Sequence, residues 1–185
     1  RNDIASRDNA LTTVHAVLTI HCVAEQSSLA GHSWIEYCPA GGNNRTFGTW
    51  GNDPVGKGNG LLEGLELGYA PTHSRTAAID ASQAARLHDV IARYAALGNA
   101  GWTIASPCSA FAADAWEAAT GERLAHRVAG ISTPKTLAAS IAAANQQQTP
   151  AYRNGQDKNR QPESSHKKSS TPGETSHESV VESYE

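Results

Sequence analysis

The sequence predicts an α+β domain, a small antiparallel sheet packed against about three helices, over residues 1–145, followed by a disordered polar tail over residues 146–185. Three observations carry this expectation. The first third of the chain holds short runs rich in Thr, Val and Ile, broken by Gly and Pro clusters. The segment from Asp80 to Asn145 holds alanine-rich stretches opened by a capping residue or a proline. Near Asn145 the composition then shifts to Gln, Ser, Lys, Glu, His and Pro, with hardly an aliphatic residue before Val180-Val181.

Taken in order, Leu11 to Val23 reads as a strand and Ser33 to Tyr37 alternates enough to be a second. Pro39-Ala40-Gly41-Gly42-Asn43-Asn44 is a turn cluster, and Arg45 to Trp50 returns as a third strand. Gly51 to Gly60 is glycine-rich with Lys57 near its centre, but no Ser or Thr follows Gly-Lys as a phosphate loop requires. It is not a nucleotide site. Asp80-Ala81-Ser82-Gln83 forms a capping box that opens a helix with a Leu87, Ile91, Tyr94 stripe, Val90 and Leu97 beside it, and a stop at Gly98. In the second helix Ser106 takes the N-cap, Pro107 the first helical position and Cys108 the first turn, and the helix ends near Gly121. Thr133-Pro134 opens the third, which carries Leu137 and Ile141 and fades by Asn145. The tail beyond cannot bury enough apolar surface to offset its ordering entropy.

Composition removes several classes of function. A net charge of −3 gives no basic field for nucleic acid. No apolar run approaches the roughly 18 residues of a membrane span. The most apolar early stretch, Val14 to Ala24, is interrupted by His15, Thr19 and His21 and lacks the marks of a secretory signal. The chain starts at Arg1 and contains no methionine, as expected of a piece of a longer protein. Its three cysteines are too few for a disulfide scaffold, although Cys22 and Cys38 fall on neighbouring strands where a bridge is sterically allowed. Eight histidines form no HExxH or CxxC pattern, so neither a metal nor a cofactor is expected.

Cys108 is the candidate nucleophile. A thiol in the first turn of a helix feels the positive end of the dipole and unpaired N–H groups, which favour thiolate. The backbone N–H groups of Cys108 and Ser109 are the candidate oxyanion donors. A thiolate needs a base, and His32 in Gly31-His32-Ser33-Trp34-Ile35-Glu36-Tyr37 stands where a strand begins, just after a glycine. His15 and His21 share a face of the preceding strand, and His88 sits within the first helix; neither position aims a ring as the start of a strand does. A third group should orient the imidazole. Thr49 and Asn52 are the candidates, because the turn brings them opposite His32 and a one-residue slip exchanges them. Glu36 shares the His32 face but lies about 13 Å along the strand. Trp34, Trp50, Trp102 and Trp116 are available to line a pocket, with packing as the simpler role for most.

Together, the Gly31-His32-Ser33-Trp34-Ile35 strand, the Phe47-Gly48-Thr49-Trp50-Gly51 return and the Cys108-Ser109-Ala110-Phe111-Ala112-Ala113-Asp114-Ala115-Trp116 helix resemble the circularly permuted NlpC-type branch of papain-like cysteine hydrolases. That branch includes relatives of lecithin:retinol acyltransferase, and in it the histidine precedes the cysteine, as His32 precedes Cys108. The Thr133-Pro134, Leu137, Ile141 segment also recurs in bacterial members, so the resemblance spans about Thr12 to Ala144. It implies a permuted papain-like fold and thiolate attack on an amide or ester through an acyl-enzyme, with Cys108 as nucleophile and His32 as base. Related enzymes often place histidine, asparagine or a carboxylate third, where this sequence offers Thr49 or Asn52. The layout is similar to toxic effectors of type VI secretion. That likeness implies export without a signal peptide, peptidoglycan stem peptide as substrate in the target-cell periplasm, and a cognate immunity protein as partner. The same dyad also suits an acyltransferase, lipid hydrolase or deamidase, and a module with an idle thiol is the non-enzymatic alternative.

Overall fold

A computed structural model describes residues 13–24, 31–52 and 56–148. Five strands form one antiparallel sheet: β1 (Ala16–Ala24), β2 (Gly31–Pro39), β3 (Arg45–Trp50), β4 (Gly60–Glu63) and β5 (His73–Ile79), in the order β4-β3-β2-β1-β5. Three α-helices follow: α1 (Ala81–Ala96), α2 (Cys108–Thr120) and α3 (Pro134–Gln148). A short 3-10 turn, Gly98–Gly101, leads out of α1, and a two-stranded hairpin of β6 (Arg127–Val128) and β7 (Ile131–Ser132) joins α2 to α3. The α+β class expected from the sequence is therefore observed, with a sheet larger than anticipated.

Register decides what each face of the sheet does. Residues directly opposite in an antiparallel pair share a face. Cys22 pairs with Ser33 and Ile20 with Ile35, and these residues face the helices. His21 pairs with Trp34 and Val23 with His32, which places both histidines and Trp34 on the other face. Against the helical face pack Leu87, Phe111, Trp116, Leu137 and Ile141, all fully buried. Helix α2 is enclosed almost all round, with nine of its thirteen residues buried, five of them alanine. Small side chains let the sheet and α1 approach its backbone together. Truncating Trp116 in this layer should cost about 3–5 kcal/mol.

Local expectations meet mixed outcomes. The capping box is present: Gln83 N–H donates to Asp80 Oδ1 at 2.8 Å, and Asp80 N–H donates to Gln83 Oε1 at 2.8 Å. Gly121 closes α2 in the left-handed region at φ 75°. Ser106, however, does not cap α2. Pro107 occupies that position with no side-chain cap, and Ser106 belongs to the preceding turn, where its N–H donates to Thr103. Strand β1 begins at Ala16; Leu11 and Thr12 of the expected strand lie outside the described residues. Leu97 is exposed rather than part of the α1 stripe. Helix α3 runs three residues past Asn145, since glutamines extend a helix readily; the tail after Gln148 lies outside the described residues. Cys22 and Cys38 are both free thiols, and register explains why. Cys38 faces Val17 while Cys22 faces Ser33, at opposite ends of the hairpin.

Candidate active site

His32 sits at the start of β2, with its ring held on three sides. Its Nε2 lies 3.0 Å from Glu66 Oε1. The Trp50 ring approaches it with centroids 3.8 Å apart, and Trp34 flanks it at 5.6 Å, nearly parallel. Tyr69 stands edge-on to both tryptophans. Trp50 also donates Nε1–H to the same Glu66 oxygen at 2.6 Å, so one carboxylate fixes the imidazole and its aromatic wall together.

Glu66 reaches this position from the turn after β4. The carboxylate crosses β3 where Gly48 leaves a gap: a Cβ there would lie 2.1 Å from Glu66 Oε1 and 3.0 Å from His32 Nε2. No other residue type admits the contact. Glu66 is 2% exposed. Burial pushes its pKa up, but hydrogen bonds from His32 and Trp50, together with the charge of His32 when protonated, hold it below the ordinary carboxylate range. It is therefore ionised at neutral pH. A carboxylate can only accept, so in the neutral form of the ring Nε2 is the nitrogen that carries the proton and Nδ1 the one that presents a lone pair. Nothing among the described residues hydrogen-bonds that Nδ1.

Cys108, the first residue of α2, shares a cavity of about 400 Å³ with His32. The backbone N–H of Ser33, next to His32, points at the Cys108 sulfur, as do the N–H groups of Ser109 and of Cys108 itself. No side chain caps the first N–H groups of α2. Burial nevertheless dominates, and the thiol is pushed up to about 12 against the helix N–H groups that lower it. The helix position that favours thiolate is thus outweighed by burial, which favours the neutral thiol. Ser109 Oγ lies 2.8 Å from Ser132 Oγ, which lies 2.8 Å from His126 Nδ1, so the first turn of α2 is tied to the β6–β7 hairpin.

Trp50, Trp102, Ile104, Pro107 and Pro134 supply the bulky apolar part of the remaining cavity wall. No Asp, Glu, Lys or Arg lines it among the described residues. Trp102 rests on Gly51, where a Cβ would come within 3.2 Å of the indole. Among the described residues no group of three or more His, Cys, Asp or Glu is placed to hold a metal ion, and no helix is long and apolar enough to cross a membrane.

The structure thus brings Cys108 and His32 to one cavity but reassigns the third position. Glu66 takes the nitrogen expected to face Thr49 or Asn52. Asn52 is occupied in its own loop, where its N–H donates to Asn59 Oδ1 at 2.6 Å and its Oδ1 accepts from Gly58 N–H at 2.9 Å. Thr49 lines the cavity from β3, on the face opposite Glu66. Of the other histidines, His15 lies exposed just before β1, and exposed His88 meets the Tyr37 ring edge-on. Glu66 carried only a weak signal in sequence: with Glu63 it is one of two carboxylates in the otherwise apolar run Leu61-Leu62-Glu63-Gly64-Leu65-Glu66-Leu67. No known protein family, curated protein or solved structure matches the chain.

Proposed function

We propose that the protein is a cysteine hydrolase, an amidase or endopeptidase that cleaves peptidoglycan stem peptides and acts as an antibacterial effector in the periplasm of a target cell. A cognate immunity protein would be its partner in the producing cell. The observation that carries the chemistry is the Glu66-held His32, whose Nδ1 has no partner among the described residues and which lines the cavity that Cys108 also lines. The peptide substrate and the effector setting rest on the resemblance of the motifs to permuted NlpC-type hydrolases.

The chemistry follows from the proton positions. With the thiol neutral at rest, His32 Nδ1 takes the Cys108 proton as sulfur attacks the carbonyl carbon. The C–S bond forms, the carbonyl pair moves to oxygen, and Glu66 stabilises the imidazolium. Collapse breaks the C–N bond and returns the proton to the leaving amine. Water, deprotonated by His32, then releases the acid. The Trp50–Trp34–Tyr69 enclosure keeps the ring in one orientation through both steps.

Purified sacculi incubated with wild type and with Cys108→Ala test this function. Soluble peptide fragments or new amino termini should appear with wild type only; equal release from both proteins would refute it. The apolar cavity wall favours one second reading, hydrolysis or transfer of a fatty acyl ester on the same dyad. Cys108-dependent release of fatty acid from phospholipid vesicles, with intact sacculi, would select it.

A further inference from the structure

Thr49 is fully buried on β3, and its Oγ1 makes no hydrogen bond among the described residues. Strand alternation places it on the face of Phe47, towards α2, whereas Gly48 and Trp50 turn to His32 and Glu66. Adjacent residues of β3 therefore serve the two sides of the candidate site. Thr49 lines the cavity that Cys108, the first residue of the uncapped α2, also lines. A buried hydroxyl without a partner destabilises a fold in a way that valine, of the same shape, does not. In the wall of the cavity that holds a candidate nucleophile, such a hydroxyl is available to an acceptor that enters the cavity.

We infer that Thr49 Oγ1 donates a hydrogen bond to the oxyanion formed when Cys108 attacks, joining the N–H groups of Cys108 and Ser109 as a side-chain member of the oxyanion hole. This assignment rests on Cys108 being the nucleophile proposed above. As the C–S bond forms and the thiol proton passes to His32, the carbonyl pair becomes a full charge on oxygen. A donor in a water-shielded wall is worth most at that moment, since no solvent competes with it. When the intermediate collapses, the pair returns to the C=O bond and the leaving group departs. Thr49 neither gains nor loses a proton in the step.

Two reagents separate this role from a structural one. p-Nitrophenyl acetate acetylates a thiol through a tetrahedral oxyanion and releases p-nitrophenolate. Iodoacetamide alkylates the same sulfur by displacing iodide, with no oxyanion. With the full chain, Thr49→Val should slow acetylation of Cys108 about 10²-fold and leave its alkylation unchanged, and Thr49→Ser should restore most of the rate. The Thr49→Val protein should melt no lower than wild type, because its unpartnered hydroxyl is gone. Acetylation at the wild-type rate, or an equal slowing of both reactions, overturns the assignment. If wild type itself is acetylated no faster than Cys108→Ala, the nucleophile reading fails instead, and the assignment falls with it.

Discussion

Two histidines on the same face of the sheet are built alike and end differently. His21 on β1 places Nε2 3.3 Å from Glu36 Oε2 and Nδ1 2.8 Å from Ser74 Oγ, and stacks on Trp34 at 5.1 Å. His32 on β2 places Nε2 3.0 Å from Glu66 Oε1 and stacks on the same Trp34. Each ring has a carboxylate at Nε2 and an aromatic wall. The His21 set even includes a hydroxyl in the position of a nucleophile. Yet both nitrogens of His21 are spent on neighbours, and none of His21, Ser74 and Glu36 lines the cavity. Burial lowers the His21 pKa against the raising influence of Glu36, so the ring is neutral at neutral pH. What distinguishes His32 is that its Nδ1 has no hydrogen-bond partner among the described residues and that the residue lines the cavity Cys108 also lines.

That contrast breaks most directly by substitution at the two rings. His32→Ala should lower hydrolysis by about 10²–10⁴-fold, measured as fragment release from sacculi, while His21→Ala leaves the rate close to wild type. Comparable losses would make the two networks equivalent. Next in size, Glu66→Ala should cost about 10²-fold by freeing the imidazole, and Glu66→Gln should also lose rate because its amide oxygen can accept from Nε2 but lacks the charge that stabilises the imidazolium. Glu36→Gln should change little. Gly48→Ala should reproduce the loss of Glu66→Ala with the fold intact, because the atom its Cβ meets at 2.1 Å is the mobile end of a side chain. A circular dichroism spectrum checks the fold.

The smallest effects are in stability against pH. The depressed Glu66 pKa means that the native state holds this carboxylate ionised where the unfolded chain would protonate it. Its contribution is fully present above the ordinary value of about 4.3 and is lost as pH falls through the lowered one. The stability difference between wild type and Glu66→Gln should therefore shrink on acidification, as followed by urea denaturation. The raised Cys108 thiol acts at the other end. The unfolded thiol ionises near 8.5, the native one near 12, so wild type should lose stability between those values and Cys108→Ala should not lose that share.

The parts legible in sequence were those with local grammar. The Asp80–Gln83 box, the Gly121 stop and the Arg45–Trp50 strand depend on neighbouring residues, and the structure shows each. Cys108 and His32 were legible because each stands at the start of an element. Glu66 was not, because 34 residues separate it from His32 and its approach depends on β4, a four-residue strand without a clear alternation. The β5 strand was hidden by Arg75, a charged residue at a buried position. It is accommodated only because Glu122 and Asn145, distant in sequence, receive its guanidinium. The neutral resting thiol was missed for a related reason. Helix position predicts a lowered pKa, and only the packed structure shows how fully Cys108 is removed from water.

The most direct measurement is the rate at which p-nitrophenyl acetate places an acetyl group on Cys108, followed by intact and peptide mass spectrometry near neutral pH. The structure predicts that wild type and His21→Ala acquire it on Cys108 at similar rates, with His32→Ala slower by at least about 10²-fold. Acetylation of His32→Ala at the wild-type rate, or of another residue in preference to Cys108, would contradict the Cys108–His32–Glu66 assignment.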